Sequence, residues 1–298
     1  MIVIITGISG FVGENLSKFL KDNDYNLQNL SLRKEWRLKR DANAIIHLAG
    51  KAHDTANTSA DEEYFKINTE LTKKLFDEFL DSDIRDFIYF SSVKATADTV
   101  DGILDEGHVS DPKTPYGKSK LLAEEYLLSK NLPEGKRFFI IRPCMIHGPG
   151  NKGNLNLLYK VVEKGVPWPL AAFDNKRSFL SIDNLNFLIH EILKNKDIPS
   201  GIYNFADDES ISTNDLIEII GKASGRKSKL WKLPSGMISS AAKLGDALKL
   251  PLNSERLKKL TESYQVSNEK IKNALHIKKL PVSAEEGLFK TIKSFKNT

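Results

Sequence analysis

Apolar residues in the first half of the chain fall into short uninterrupted runs separated by stretches of helical periodicity. Ile2–Thr6 is a β-branched run, followed by a glycine turn and a helical pattern that continues to Phe19. Leu27–Leu32 and Ala44–Leu48 predict a second and a third strand. From Tyr64 to Leu80 the apolar positions Ile67, Leu71, Leu75 and Phe79 recur at helical spacing. Phe87–Phe90 predicts a fourth strand, Tyr116–Leu128 a helix and Phe138–Ile141 a fifth strand. Runs rather than alternation are the pattern that strands buried on both faces require. Strands alternating with helices predict an α/β fold built on a doubly wound parallel sheet.

Near residue 150 the rhythm breaks, and Pro149, Pro167 and Pro169 punctuate the next stretch. Phe179–Ile182 predicts a strand, Leu185–Leu193 a helix and Gly201–Phe205 another strand. Ser212 or Thr213 then caps a helix through Ile220. Residues 235–249 form an amphipathic pattern with lysines, read as a lid or packing helix rather than a membrane-surface one. There is no internal repeat.

Composition narrows the class. With 40% hydrophobic and 28% charged residues over 298 positions, the chain has material for a sizeable core, which excludes disorder as its main state. No apolar run approaches the ~18 residues a spanning helix needs. A single cysteine, Cys144, excludes a disulfide scaffold and fits a reducing cytoplasm. The N-terminus reads as a core strand, not a signal peptide. Net charge is +5, unevenly placed: residues 222–298 hold 17 Lys and Arg against 6 Asp and Glu. That excess suggests an anionic partner (nucleic acid, a lipid surface or a phosphorylated small molecule) or a solvated lysine face.

The first turn carries chemistry. In Thr6-Gly7-Ile8-Ser9-Gly10-Phe11-Val12-Gly13, Gly7 allows a tight turn, Gly10 lets a pyrophosphate approach the backbone, and Gly13 lets helix pack on strand. Phosphates then meet free N–H groups at the positive end of the helix. The second strand ends in Ser31-Leu32-Arg33-Lys34, where an acidic residue holding the adenosine ribose is usual. Arg33 tilts the cofactor from NAD toward NADP, although Glu35 remains within reach of the ribose. Further on, Tyr116 and Lys120 stand four apart at a helix start and share a face. A lysine ammonium there lowers the phenol pKa, so that Tyr116 exchanges a proton with an alcohol or ketone. Ser91-Ser92 closes the fourth strand and offers a hydroxyl to the same oxygen.

Together these residues resemble the extended short-chain dehydrogenase/reductases, the NAD-dependent epimerase/dehydratase group acting on nucleotide sugars. Further matches run in order along nearly the whole chain: His47-Leu48-Ala49-Gly50, Asn68, Arg142-Pro143 with His147-Gly148-Pro149-Gly150, Phe179–Asn184, and Gly201-Ile202-Tyr203-Asn204. The resemblance implies a Rossmann-type NAD(P)-binding domain over residues 1–150 with part of 179–210. A smaller mixed α/β nucleotide-sugar domain would take 151–298, mainly 151–178 and 211–298. It implies Tyr116 as acid/base, Lys120 as its partner and Ser92 as the hydroxyl on the reacting oxygen. Gly7, Gly10, Phe11, Val12, Gly13, Arg33, Leu48, Ala49, Gly50, Asn68, Ser91 and Pro143 would line the cofactor with Tyr116 and Lys120. Asn154, Leu155, Arg177 and Arg256 would meet the substrate nucleotide or its diphosphate, the arginines through their forked guanidinium groups.

Departures from the family pattern narrow the reaction. Dehydratases carry an Asp-Glu pair where this chain has Val93 and Lys94, which disfavours 4,6-dehydration. Met145 replaces the asparagine of typical hexose 4-epimerases, Thr96 replaces a tyrosine found in many members, and the stretch between strands two and three is short. Ser92-Val93-Lys94, Gly148–Asn154 and Asn175–Ser178 resemble a bacterial branch making surface-polysaccharide precursors. The expected activity is therefore a hydride transfer at C4 of a UDP-hexose, with 4-keto reduction ahead of UDP-hexose or UDP-N-acetylhexosamine 4-epimerisation. A non-catalytic Rossmann regulator sensing NAD(P) is the competing class, and retention of Tyr116 and Lys120 argues against it.

No nucleic-acid motif is present. His47, His53, His108 and His147 show no metal-ligand spacing, so no metal is expected. His53 reads as a surface residue or a substrate contact, and Cys144 as packing. Residues 64–80 and 116–130 are candidates for a homodimer bundle or for packing within the chain.

Overall fold

The computed structural model describes residues 1–39, 41–51, 60–151, 153–248 and 253–297. β1 (Ile2–Thr6) leads into α1 (Phe11–Asp22), β2 (Asn26–Leu30) and β3 (Ala44–His47). A helical stretch comes next in three parts: α2 (Asp61–Tyr64), a π-helical segment at Phe65–Glu70, and α3 (Leu71–Leu80). Then come β4 (Asp86–Phe90), a 3-10 turn at Val93–Ala95, β5 (Ile103–Leu104), α4 (Pro115–Leu128), β6 (Arg137–Pro143) and β7 (Met145–His147). After them stand α5 (Asn154–Glu163), β8 (Phe179–Ser181), α6 (Ile182–Lys194), β9 (Gly201–Phe205) and α7 (Thr213–Ser224). The chain closes with α8 (Ser235–Leu248), α9 (Ser254–Thr261), β10 (Gln265–Val266), α10 (Glu269–Leu275) and α11 (Ala284–Ser294).

Six strands form one parallel sheet in the order β2-β1-β3-β4-β6-β9. The order reverses at β1, which lies between β2 and β3, with Thr6 opposite His47. A crevice opens at the carboxyl ends of the strands where such an order reverses. Alternate residues of each strand feed opposite cores, which explains the uninterrupted apolar runs. Val3, Ile5, Ile46, Ile88 and Phe139 pack with Leu16 and Leu20 of α1 and Leu185 and Leu188 of α6. Ile4, Ile45, Phe87, Tyr89 and Ile140 pack with Phe76 and Phe79 of α3 and Ala123 and Leu127 of α4. A third cluster joins α5, α7, α8 and α11 through Tyr159, Ile217, Ile220, Ile238, Ala242 and Leu288.

Several element bounds differ from the sequence expectation. β2 ends at Leu30, and Leu32 is buried in a turn instead. Ile182 opens α6 rather than ending a strand, because the Ser181 hydroxyl accepts from the Asn184 N–H at 3.1 Å and caps the helix. Ser212, not Thr213, caps α7, through a capping box with Asp215. The helix expected over Tyr64–Leu80 begins at Asp61 and widens into the π segment. Among the described residues the short β2–β3 connection adds no strand beyond β2. No helix of the described residues is long and apolar enough to cross a membrane.

Candidate active site

The glycine turn is dictated by contact. Gly7 has φ +72°, a left-handed backbone, and a Cβ there would stand 2.7 Å from the Ala49 nitrogen. A Cβ on Gly13 would stand 2.7 Å from the Ile8 Cα. Beside Gly10 the nearest atom to such a Cβ is the Gly7 carbonyl oxygen at 3.4 Å, and no side chain caps the start of α1. The first turn of α1, with Phe11 and Val12, thus faces an open cradle suited to phosphate oxygens.

Opposite the cradle, the end of β3 is fixed by a directional chain of hydrogen bonds. Thr72 Oγ1 donates to the Asn68 carbonyl at 2.8 Å, so it accepts from His47 Nε2 at 2.9 Å. His47 Nδ1 is then the acceptor for the Thr6 hydroxyl at 2.7 Å, and Thr6 Oγ1 accepts from the Ala49 N–H at 3.1 Å. Burial holds the imidazole down to about 3, with the Lys120 charge adding to the effect, so His47 is neutral. This chain pins Leu48, Ala49 and Gly50 against the glycine turn. Asn68 extends the anchor: its side chain accepts from the Lys51 N–H at 2.7 Å, and donates to the Lys51 carbonyl at 3.1 Å and to Ser119 Oγ at 3.0 Å. Asn68 sits in the π segment, a wide turn of the kind often found at functional sites.

α4 presents Tyr116 and Lys120. Thr114 caps it by accepting from the Gly117 N–H at 3.2 Å. A Cβ on Gly117 would lie 2.7 Å from Pro112 Cβ and closer still to the Lys94 carbonyl, so only glycine lets this turn sit against the turn after β4. The Ser92 hydroxyl accepts from the Lys94 N–H at 3.2 Å and neighbours the Tyr116 phenol, and the Tyr64 ring stands edge-on to that phenol ring with centroids 6.2 Å apart. Lys120 Nζ donates to the Phe90 carbonyl at 2.8 Å and lies 3.2 Å from where a Cβ on Gly50 would be. Burial pulls the Lys120 ammonium down to about 8, with Glu124 opposing. Burial pushes the Tyr116 phenol up, and the neighbouring Ser92 hydroxyl only partly offsets it. Lys120 is not among the groups that set the phenol in this structure; its ammonium serves the end of β4.

Ser91 differs from its neighbour. Its hydroxyl donates to the fully buried Glu124 carboxylate, which also takes Arg142 Nε at 3.0 and 3.1 Å. Ser91 thus faces the ion pair beneath the site rather than a cofactor surface. Sequence reasoning passes over Glu124, although it stands four residues after Lys120 on the same helix face. Pro143 ends β6, and the buried Cys144 next to it has its thiol pushed well up by burial, as packing requires. Arg33 is exposed in the turn after β2, as is Glu35.

The expected substrate residues divide. Asn154 opens α5, and Arg256 lies in α9. The Leu155 side chain is buried in the third core cluster, which leaves only its main chain for a ligand. Half-buried Arg177 is held in a ladder, its N–H donating to the Ile211 carbonyl at 2.9 Å, with Ser178 N donating to the Tyr264 carbonyl at 2.9 Å. Burial pulls its guanidinium down, with Glu262 and Tyr264 countering. Tyr264, which no sequence motif singles out, reaches from this ladder to the turn after Ser92, donating to the Ala97 carbonyl at 2.7 Å. Lys94 lies over the Tyr264 ring at 4.1 Å. His53 lies outside the described residues. His147 is buried, its Nδ1 bonded to Thr291 Oγ1 at 2.9 Å, and no group of metal-binding side chains occurs among the described residues.

Residues 3–206 match the model of the NAD dependent epimerase/dehydratase family. The chain belongs to that family. It is an enzyme of the extended short-chain dehydrogenase/reductase type. It is similar to a UDP-glucose 4-epimerase of Vibrio cholerae, 29% identical with 98% of this chain and 95% of the relative covered. It is also similar to an N-acetyl-α-D-glucosaminyl-diphospho-ditrans,octacis-undecaprenol 4-epimerase of Escherichia coli O157:H7, 26% identical over 97% and 94% of the two chains. Its fold matches a UDP-N-acetylglucosamine 4-epimerase of Bacillus cereus with TM-score 0.77 at 20% identity, covering all of both chains. The cradle at Gly10, closed on one side by Gly7 and Ala49, fits the dinucleotide that this family uses.

Proposed function

We propose that the chain moves a hydride at C4 of a UDP-hexose and acts as a 4-epimerase. The observation that carries this reading is the placing of Ser92, just past the carboxyl end of β4, beside the Tyr116 phenol, with Lys120 one helical turn on. The 4-epimerase names of the two full-length relatives favour epimerisation over the reduction expected from sequence. A bound nicotinamide supplies hydride acceptance and return. Ser92 orients the C4 oxygen, and Tyr116 takes and returns its proton. Lys120, held between the Phe90 carbonyl and Gly50, supplies the positive charge that favours phenolate once the pocket is filled. Asn68 and His47 act on neither proton; they fix the backbone on which Gly50 and Lys51 stand. Arg177 is proposed for the substrate diphosphate.

Arg33 favours a second reading, a 4-ketoreductase using NADPH, because it stands exposed where a 2′-phosphate would lie. Identification of the nucleotide released from freshly purified protein separates the two. Near-stoichiometric NAD, together with interconversion of UDP-glucose and UDP-galactose or of their N-acetyl forms, supports the epimerase. Empty protein that oxidises NADPH only with a UDP-4-keto sugar overturns it in favour of the reductase.

A further inference from the structure

A surface over residues 226–248 takes no part in the site around Tyr116. From Ile219 to Gly245 the chain has no Asp or Glu but six basic residues: Lys222, Arg226, Lys227, Lys229, Lys232 and Lys243. Lys222 is paired with Glu285 at 3.2 Å. The other five are exposed and make no ion pair among the described residues. Apolar side chains stand among them in the open: Trp231 is 54% exposed, Met237 66%, Leu244 59% and Leu248 60%. α8 carries two adjacent apolar stripes. Ile238, Ala242 and Gly245 are buried, the first two in the third core cluster. Met237, Ala241, Leu244 and Leu248, spaced by four, three and four, share a second face that is exposed. A helix that only packs on a core needs the first stripe alone.

We propose that this face docks α8 on an anionic lipid surface, with Trp231, Met237, Leu244 and Leu248 entering the interface and the five cations meeting lipid headgroups. An apolar stripe flanked by lysines, with an interfacial tryptophan, is the pattern of a helix lying in the membrane plane. Charge decides against a second copy as occupant. A twofold contact would set five cations against another five, with one acidic residue between 226 and 248, Asp246, whose carboxylate already accepts from the Ser254 N–H at 2.9 Å and from the Ser254 hydroxyl. Nucleic acid would use the cations and leave the apolar stripe unexplained. The lid-or-packing reading of residues 235–249 accounts for one stripe of α8 and not for the other. The inference is independent of the reaction proposed for the Tyr116 site.

The test is cosedimentation of the full chain with vesicles of phosphatidylcholine containing phosphatidylglycerol, and with phosphatidylcholine alone. The chain binds the anionic vesicles, less tightly as salt rises, and Trp231 fluorescence shifts to the blue, a shift lost in Trp231→Phe. The Leu244→Ser/Leu248→Ser variant binds more than about tenfold more weakly, and Lys227→Glu/Lys232→Glu, which leaves every apolar contact in place, weakens binding by roughly fivefold or more per residue. Both keep the wild-type circular-dichroism spectrum and thermal unfolding midpoint, which reports their folding. Absence of binding to anionic vesicles at low salt overturns the proposal. So does undiminished binding by both variants, a homodimer that Leu244→Ser/Leu248→Ser dissociates without any vesicle binding, or duplex DNA binding in its place.

Discussion

His47 makes the fold acid-labile by an amount that can be worked out. The last residue of β3, it is fully buried against α3 and stacked on Tyr89 at 5.7 Å, and its two nitrogens are committed to Thr6 and Thr72. A proton on Nδ1 would face Thr6 Oγ1, whose own hydrogen already points at that nitrogen, with the Lys120 ammonium near by. The folded protein therefore resists protonation to about pH 3, whereas in the unfolded chain the group titrates at its ordinary 6.5. A depressed folded value means that stability is complete above the unfolded pKa and declines as pH falls toward the folded one. Between pH 7.5 and pH 5 the unfolded chain gains a proton that the folded one refuses, which costs the fold about 2 kcal/mol at 25 °C. His47→Gln keeps a donor and an acceptor but cannot titrate. It is expected to be less stable at pH 7.5 by about 1–3 kcal/mol, through imperfect satisfaction of Thr6 or Thr72. Its stability should then fall by about 2 kcal/mol less than wild type on going to pH 5. Urea unfolding of both proteins at the two pH values measures the difference, and all other titrating groups cancel in it. Equal losses in the two proteins would refute the buried neutral imidazole.

The same geometry sets other expectations. Tyr116→Phe should lower kcat by about 10²–10⁴-fold while cofactor affinity, read by nucleotide fluorescence or calorimetry, stays near wild type. Glu124→Leu strands the buried Arg142 and should cost about 3–5 kcal/mol in urea unfolding, while Glu124→Leu/Arg142→Leu recovers most of it. Because Glu124 holds the Lys120 ammonium up against burial, Glu124→Gln should move the alkaline limb of the activity profile to lower pH; an unmoved limb counts against that coupling. Gly13→Ala brings a methyl to 2.7 Å from Ile8 Cα and should cost about 1–3 kcal/mol and weaken dinucleotide binding. Arg177→Ala should raise the KM for a UDP-sugar by about 10–100-fold with kcat nearly unchanged, and an unchanged KM removes Arg177 from the substrate site.

The legible and the hidden parts of the molecule divide along a physical line. Strand runs, the glycine turn and the Tyr116–Lys120 spacing are local patterns, and each reappears within a few residues of its expected place. Burial on both faces fixes the strands, and one turn of helix fixes the spacing. The state of the site is not local. Glu124 and Arg142 are 18 positions apart, and the carboxylate that steadies Lys120 meets Ser91 only because β4, β6 and α4 pack together. Thr6, His47, Thr72 and Asn68 form one chain of donors and acceptors only because β1 and β3 are register partners beneath a π-widened helix. The raised Tyr116 phenol has the same origin. Spacing predicts that Lys120 can reach it, but the Phe90 carbonyl at the end of β4 competes for the ammonium and holds it at 2.8 Å.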